Sequence, residues 1–499
     1  GCPYSCTFCN DGSLLRSRIY RRSEDSIYED LKYIGSRSEN SLQTQLSIVD
    51  LNFGMYKEDL ATARMLQSTI EEYGWPERLL VSLGKSHPER VLEVVNTINK
   101  GGKGVLRLQA SFQSTDDEVL KEIKRKNLSV DDLLGMRDFR YEQINDNQEF
   151  LTELILALPS DTVEKHYASL RDVIDVLGMN NIDVHQLTLL PGSEMADWAV
   201  LGTRPQDQFD VRHRVFVGCL GIYNILDDVI PCAEFEEVVV GNSTLPFKDY
   251  LEVRITHLLL KIYIERDPFN YTFGLIRKLK LSSFDLLLHL KEHWLKFESL
   301  SKLTDSFIEG SKAPLFDNHD DLVSYVNGLD DMEKLSSGEY RRNELLVHWV
   351  KAYIECSTDL HLALRDAALS YIDSHGLLSE DVKDYVEQGI EFSRLTRFDV
   401  KDYRTANEGN FSFDFQKAEQ LGYEVDPSEI KIDRVKITAS YSEDDLATIQ
   451  RVTELWGTET LLEIGKLFKQ YNMLRMRRDV IDIDPDGILT AINAGRTSR

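Results

Sequence analysis

Three cysteines open the chain as Cys2-Pro-Tyr-Ser-Cys6-Thr-Phe-Cys9, half of the six found in 499 residues. Thiolates at this density select soft metal centres, above all iron–sulfur clusters and zinc. A closed structural zinc or [4Fe–4S] site takes four protein ligands. Three ligands leave one metal position open, where a substrate or cofactor can bind. A zinc knuckle would need a fourth ligand nearby, and no Cys or His follows before His87. The residues by themselves therefore point to a soft metal centre, iron–sulfur or zinc, with one metal position left open.

The spacing Cys2-x3-Cys6-x2-Cys9, with aromatic Phe8 before the third cysteine and the flanks of residues 1–12, resembles the signature of the radical S-adenosylmethionine (radical SAM) enzymes. The resemblance implies that Cys2, Cys6 and Cys9 hold three irons of a [4Fe–4S] cluster, with the fourth chelated by S-adenosylmethionine. Reductive cleavage of that cofactor gives methionine and a 5′-deoxyadenosyl radical. The stretches 16–34, 52–59 and 113–127 are similar to the cobalamin-dependent branch, in which a cobalamin domain precedes the barrel and methyl transfer is common. Here that domain would lie upstream of Gly1. The resemblance covers roughly the first 200 residues. It implies a small-molecule or peptide substrate and an electron donor such as a flavodoxin or ferredoxin.

The elements that must position the cysteines alternate. Residues 46–53, 79–83, 105–112, 150–158 and 183–190 read as strands, the first rich in β-formers and ended by Gly54, the last stopped by Pro191-Gly192. Between them, 23–34, 60–73, a segment from Pro88, 115–126 and 161–178 carry helical spacing and cap signals, with Ser26 and Glu29 spaced as a capping box. Strands separated by crossover-length helices predict a parallel sheet with right-handed connections. A further strand ending before Cys2 would make six. The fold class predicted is α/β, the partial (β/α)6 TIM-like barrel that the resemblance implies, with its site at the carboxyl ends of the strands.

Residues at those ends become candidates. The second strand ends Asp50-Leu-Asn52, where many relatives carry Gly-Gly-Glu. Asp50 and Asn52 share a strand face and offer oxygen acceptors to the cofactor's ammonium group, or else form a turn or helix cap. Ser82 could bond a ribose hydroxyl and Lys85 could meet the cofactor carboxylate, or Lys85 is simply solvated. Gln109, Ser111 and Gln113 form a polar stripe, which is costly in a barrel strand unless it lines a polar cavity; Ser111 and Gln113 are assigned to the site. Arg125 resembles the helix-end arginine that approaches the cofactor carboxylate in relatives, although a helix dipole also explains a basic end. Residues 157–160 resemble the strand-end Gly-x-Pro of relatives. His185 or Gln186 faces substrate, or His185 is a core histidine. Phe8 is expected against adenine.

Hydrophobic content of 42% and aromatic content of 9% are globular values. A formal charge of −26 disfavours a nucleic-acid partner, since it repels phosphate on average. The basic runs at 277–280 and 475–478 read as solvated helix faces. No apolar run is long enough for a membrane span, and free thiolates suit a cytoplasmic setting. The chain opens on the motif without an initiator methionine, so sequence upstream is expected. Beyond about residue 205 the pattern turns helical, notably at 250–264, 284–297, 344–353, 360–372 and 446–455, with a β-rich piece at 430–438. The expected division is 1–205 barrel, 206–395 mainly α-helical, and 396–499 a small α+β end. Cys219 and Cys232 read as buried small apolar residues. Asp373-Ser-His375-Gly376 is superficially like a cobalamin-binding pattern, but the rest of that motif is absent. The alternative to the enzyme is a non-catalytic metal-binding scaffold, with zinc or iron–sulfur and a helical interaction region.

Overall fold

The computed structural model describes the chain except residues 14–15, 39–43, 101–103, 129–131, 133, 136–150, 203, 205–207, 227, 328–342, 471–472, 474–475, 484–488 and 491–499. The fold mixes helix and strand and divides into two compact units. One comprises Gly1–Val253 with Leu315–Met332, the other Arg254–Pro314 with Glu333–Arg499.

In the first unit, α1 (Glu24–Gly35) is capped by Ser23, whose Oγ accepts from Ser26 N–H. The expected capping box on Ser26 is therefore displaced by one turn, because Ser23 holds the extended conformation an N-cap needs. α2 (Asp59–Tyr73) stops at Gly74, which takes a left-handed φ of 66°. α3 (Pro88–Ile98) places proline in its first turn and buries Val91, Val94, Val95 and Ile98 on one face. α4 (Asp117–Glu122) is capped by Asp116.

Parallel strand neighbours follow sequence order. β1 (Gln45–Ser47) pairs with β2 (Arg78–Leu80), and Leu79 of β2 bridges to Leu106. Gln109 and Gln113 bridge to Leu151 and Leu154 of β3 (Leu151–Leu156), which pairs along its length with β4 (Asn181–Gln186). The expected strand at 105–112 thus touches both neighbours through single bridges without a regular ladder. Four residues on its side span three on β3, the mismatch of a bulge. The expected strand at 183–190 breaks in two. β5 (Thr188–Leu189) leaves the parallel set and pairs antiparallel with β7 (Asp228–Gly241). Leu187 is the switch: its N–H goes to Leu156 O and its carbonyl accepts from Val239 N–H.

Periodicity had predicted helices after 205, yet β6 (Asp210–Ile225) and β7 form a long antiparallel hairpin, turned at Leu226 with φ 57°. Cys232, expected to be buried, is exposed on it; the side chain of Cys219 lies outside the described residues. The division between the two units falls within the helix Phe247–Tyr263.

The second unit contains helices Asn270–Lys278, Ser283–Trp294, Glu298–Lys312, Glu344–Glu355, Ser357–Ser374 and Glu380–Thr396, and a sheet ordered β11-β10-β9-β8. Its strands are β8 (Asn407–Phe413), β9 (Lys431–Ser440), β10 (Asp479–Ile483) and β11 (Leu489–Thr490). Trp294, Trp349, Tyr263, Tyr271 and Tyr385 are fully buried here. The run 475–478 is not a solvated helix face: Arg478 is buried and donates to the carbonyls of Leu395, Arg397 and Asp402. Those acceptors lie at and beyond the end of helix Glu380–Thr396, where unpaired carbonyls attract a cation. His375 caps the helix Ser357–Ser374, an ordinary helix end. No helix among the described residues is long and apolar enough to cross a membrane.

Candidate functional site

The cysteine loop is held by backbone hydrogen bonds on every side. Cys2 N–H donates to Arg16 O, Thr7 N–H to Ile123 O, and Met195 N–H to Thr7 O. Within the loop, Cys9 N–H returns to Cys6 O and Gly12 N–H to Cys9 O, closing the turn Asn10–Gly12. Gly12 is required by space: a Cβ there would stand 2.8 Å from Cys6 O and 3.0 Å from Cys6 N. Cys2 and Cys6 are buried, Cys9 is partly so, and all three thiols are free.

Neighbouring strand ends bring polar groups to this loop. Asn52 is 2% exposed and its Nδ2 donates to Cys2 Sγ at 3.4 Å. Asp50 is exposed and turns back, Oδ1 accepting from Asn52 N–H at 2.7 Å, the geometry of a local turn. Ser82 is exposed, and its carbonyl accepts from Phe53 N–H. Phe8 is half-buried against a core that includes Leu156, Leu158, Leu187 and Leu189. Tyr4 donates its hydroxyl to Ser86 Oγ at 3.0 Å, and Lys85 Nζ stands 5.9 Å from the Tyr4 ring centroid.

Arg125 is buried, with Nε on Asn127 Oδ1 at 3.0 Å and a guanidinium nitrogen on Ser111 O. Burial pushes the Cys6 thiol up, while the cations of Arg125 and Lys85 pull it down. The same burial lowers Arg125, opposed by Cys6. A shallow, open cleft is lined by Lys85, Gln109, Ser111, Phe112, Arg125 and Asn127 among others.

The polar stripe continues into Glu153, which sequence reasoning missed, and from it to His185. Ser111 Oγ donates to Glu153 Oε2 at 2.6 Å, and His185 Nε2 stands 3.8 Å from Glu153 Oε1. The contact with His185 holds the Glu153 carboxyl below its usual range, with Ser111 and Arg125 acting in the same direction against burial. His185 is exposed, which removes the core-histidine reading. A charged residue inside the apolar run Leu151–Leu156 was the signal that could have marked Glu153. Gln113 is buried at φ 67°, and Ala157 and Ser160 also take left-handed φ.

Three thiols on one loop fit a cluster whose irons take one thiolate each. Among the described residues no three His, Cys, Asp or Glu side chains converge to hold one metal ion. Cluster thiolates each take a separate iron and need not converge. Thr7 Oγ1, Asn52 Oδ1 and Gln113 Oε1 are buried without a partner among the described residues, leaving acceptors around the loop.

Three free thiols in this spacing, set beside parallel strand ends, are the arrangement for which the chain is similar to radical SAM enzymes. The chain is 28% identical over 195 residues to the cobalamin-dependent radical SAM methyltransferase TokK of Streptomyces tokunonensis, covering 39% of this chain and 28% of that protein. It is 28% identical over 193 residues to the 2-(S-pantetheinyl)-carbapenam-3-carboxylate methyltransferase of Streptantibioticus cattleyicolor, covering 39% and 27%. The matches thus span little more than a quarter of either relative. Among solved structures, the radical SAM methyltransferase TsrM from Kitasatospora setae, with cobalamin and [4Fe–4S] cluster bound, matches at 16% identity and TM-score 0.35 over 42% of this chain and 38% of TsrM. TsrM with tryptophan substrate and the analogue aza-SAM matches at 15% identity and TM-score 0.35, over 43% and 40%. No protein-family model matches the chain.

Proposed function

We propose that the chain is the catalytic part of a radical SAM methyltransferase acting on a small molecule or peptide. In this reading residues 1–205 form the six-unit partial barrel, cobalamin serves as methyl carrier, and a flavodoxin- or ferredoxin-type protein in the cytoplasm supplies electrons. The observation that carries it is the pinned loop of three free thiols, with Asn52 at Cys2 and buried Arg125 beside Cys6. Cys2, Cys6 and Cys9 would hold the cluster. When bound, a [4Fe–4S] cluster supplies the single electron that cleaves the sulfonium of S-adenosylmethionine. The protein's part is to bind, orient and exclude water. Arg125 and Lys85 offer two cations to the cofactor carboxylate. Asn52 Oδ1 is a free buried acceptor for its ammonium group. Ser82, Ser111 and Gln113 are available to ribose hydroxyls or substrate, and Phe8 to adenine. Asp50 supports Asn52 through its backbone contact.

Anaerobic reconstitution with iron and sulfide tests the reading. The expected product is a brown protein with about four irons per chain, releasing 5′-deoxyadenosine from S-adenosylmethionine under reductant, and the Cys6→Ala variant should do neither. Metal uptake with no cofactor cleavage would favour the non-catalytic scaffold instead.

A further inference from the structure

The Asn52 amide does more than present an acceptor. Its Nδ2 lies 3.4 Å from Cys2 Sγ, and both side chains are buried, Asn52 at 2% and Cys2 at 5% exposure. The donor is rigidly mounted. Asn52 N–H is fixed by Asp50 Oδ1, its carbonyl accepts from Met55 N–H, and neighbouring Phe53 is paired both ways with the 82–84 segment. Cys2 is fixed in turn by its N–H to Arg16 O. A metal-bound thiolate carries no proton and accepts only, so the amide's N–H end must face it and the oxygen must face away. The oxygen does face away and is left without a partner among the described residues.

We propose that Asn52 is an outer-sphere donor to the Cys2 thiolate that raises the reduction potential of the cluster proposed above. The inference rests on that cluster reading. A hydrogen bond to a ligating sulfur offsets negative charge, and reduction adds negative charge, so the donor stabilises the reduced state more than the oxidised one. Asn52 thereby makes the cluster easier to reduce by a physiological donor. Loss of the donor should lower the one-electron reduction equilibrium about tenfold, which is about 59 mV toward lower potential.

Reconstituted wild type and the variants Asn52→Leu and Asn52→Asp are titrated anaerobically, following the reduced cluster by electron paramagnetic resonance, with no S-adenosylmethionine present. Iron content tells whether the cluster forms, so a wild type without iron sinks the cluster reading itself. If wild type is loaded, a lower midpoint in Asn52→Leu, and a lower one again in Asn52→Asp where a carboxylate faces the thiolate, supports the inference. Midpoints unchanged or raised in both variants overturn it. Loss of iron from both variants with helix content intact also overturns it, because a residue that only tunes leaves three thiolates in place.

Discussion

His361 offers a test of the second unit in which sign and size can be worked out. The ring is fully enclosed on helix Ser357–Ser374, with Nδ1 on Ser357 O at 2.5 Å and Nε2 3.4 Å from an Arg397 guanidinium nitrogen. Phe269 packs edge-on against it, ring centroids 5.3 Å apart. That geometry puts the proton on Nδ1 and leaves Nε2 to accept from Arg397. Burial, then the Arg397 cation, lower its pKa from 6.5 to about 3; the Ser357 carbonyl works the other way. The unfolded chain takes up a proton near pH 6.5 that the folded chain refuses until about pH 3. Stability is therefore full above the upper value and is lost as pH falls between the two. At 1.36 kcal/mol per unit the whole window is worth about 5 kcal/mol, of which about 2 kcal/mol is gone by pH 5. For a unit of this size that is about 4–8 °C in melting temperature. His361→Gln, which keeps a polar group but cannot be charged, should be less stable at pH 7.5 yet lose that much less on going to pH 5.0. Calorimetry of the full chain at both pH values reads the difference. An unaltered pH slope in the variant, or an imidazole titrating near its ordinary value by NMR, would refute the reasoning.

Two further perturbations bear on the cysteine loop. Gly12→Ala forces a methyl to 2.8 Å from Cys6 O, a backbone atom that cannot swing aside, so the loop must shift. Iron uptake on reconstitution should fall severalfold with helix content unchanged, and wild-type iron content would show that the close approach is unimportant. Ser193, buried and capping helix Glu194–Leu201 through Ala196 N–H, stands two residues before the Met195 N–H that holds Thr7 O. Ser193→Ala should cost about 1 kcal/mol and, where exchange proceeds by local opening of this helix, speed amide exchange around Thr7 about fivefold. Exchange at the wild-type rate would mean that the loop is not coupled to this cap.

How much was legible in the sequence differs from element to element. Stops and starts were largely local: Gly74 and Pro88 act where they stand, whereas the cap expected from residues 115–118 falls on Asp116. The box at Ser26 was misread by one turn because Ser23 competes for the same helix start. The β6–β7 hairpin was missed although 210–241 is rich in β-branched residues, because the whole chain beyond about residue 205 was read as helical. Arg478 read as solvated because sequence spacing cannot show the carbonyls waiting at the end of a distant helix.

What the sequence by itself determined is the donor set. Three thiols within eight positions name the chemistry because ligation by a short loop is a local matter of residue type and spacing. Tertiary structure decided which polar side chains surround them. Asn52 reaches Cys2 across 50 residues and Glu153 reaches Ser111 across 42. Such meetings depend on which parallel strands become neighbours and in what register. A shift of one residue in β3 would turn Glu153 to the opposite face of its strand and away from Ser111.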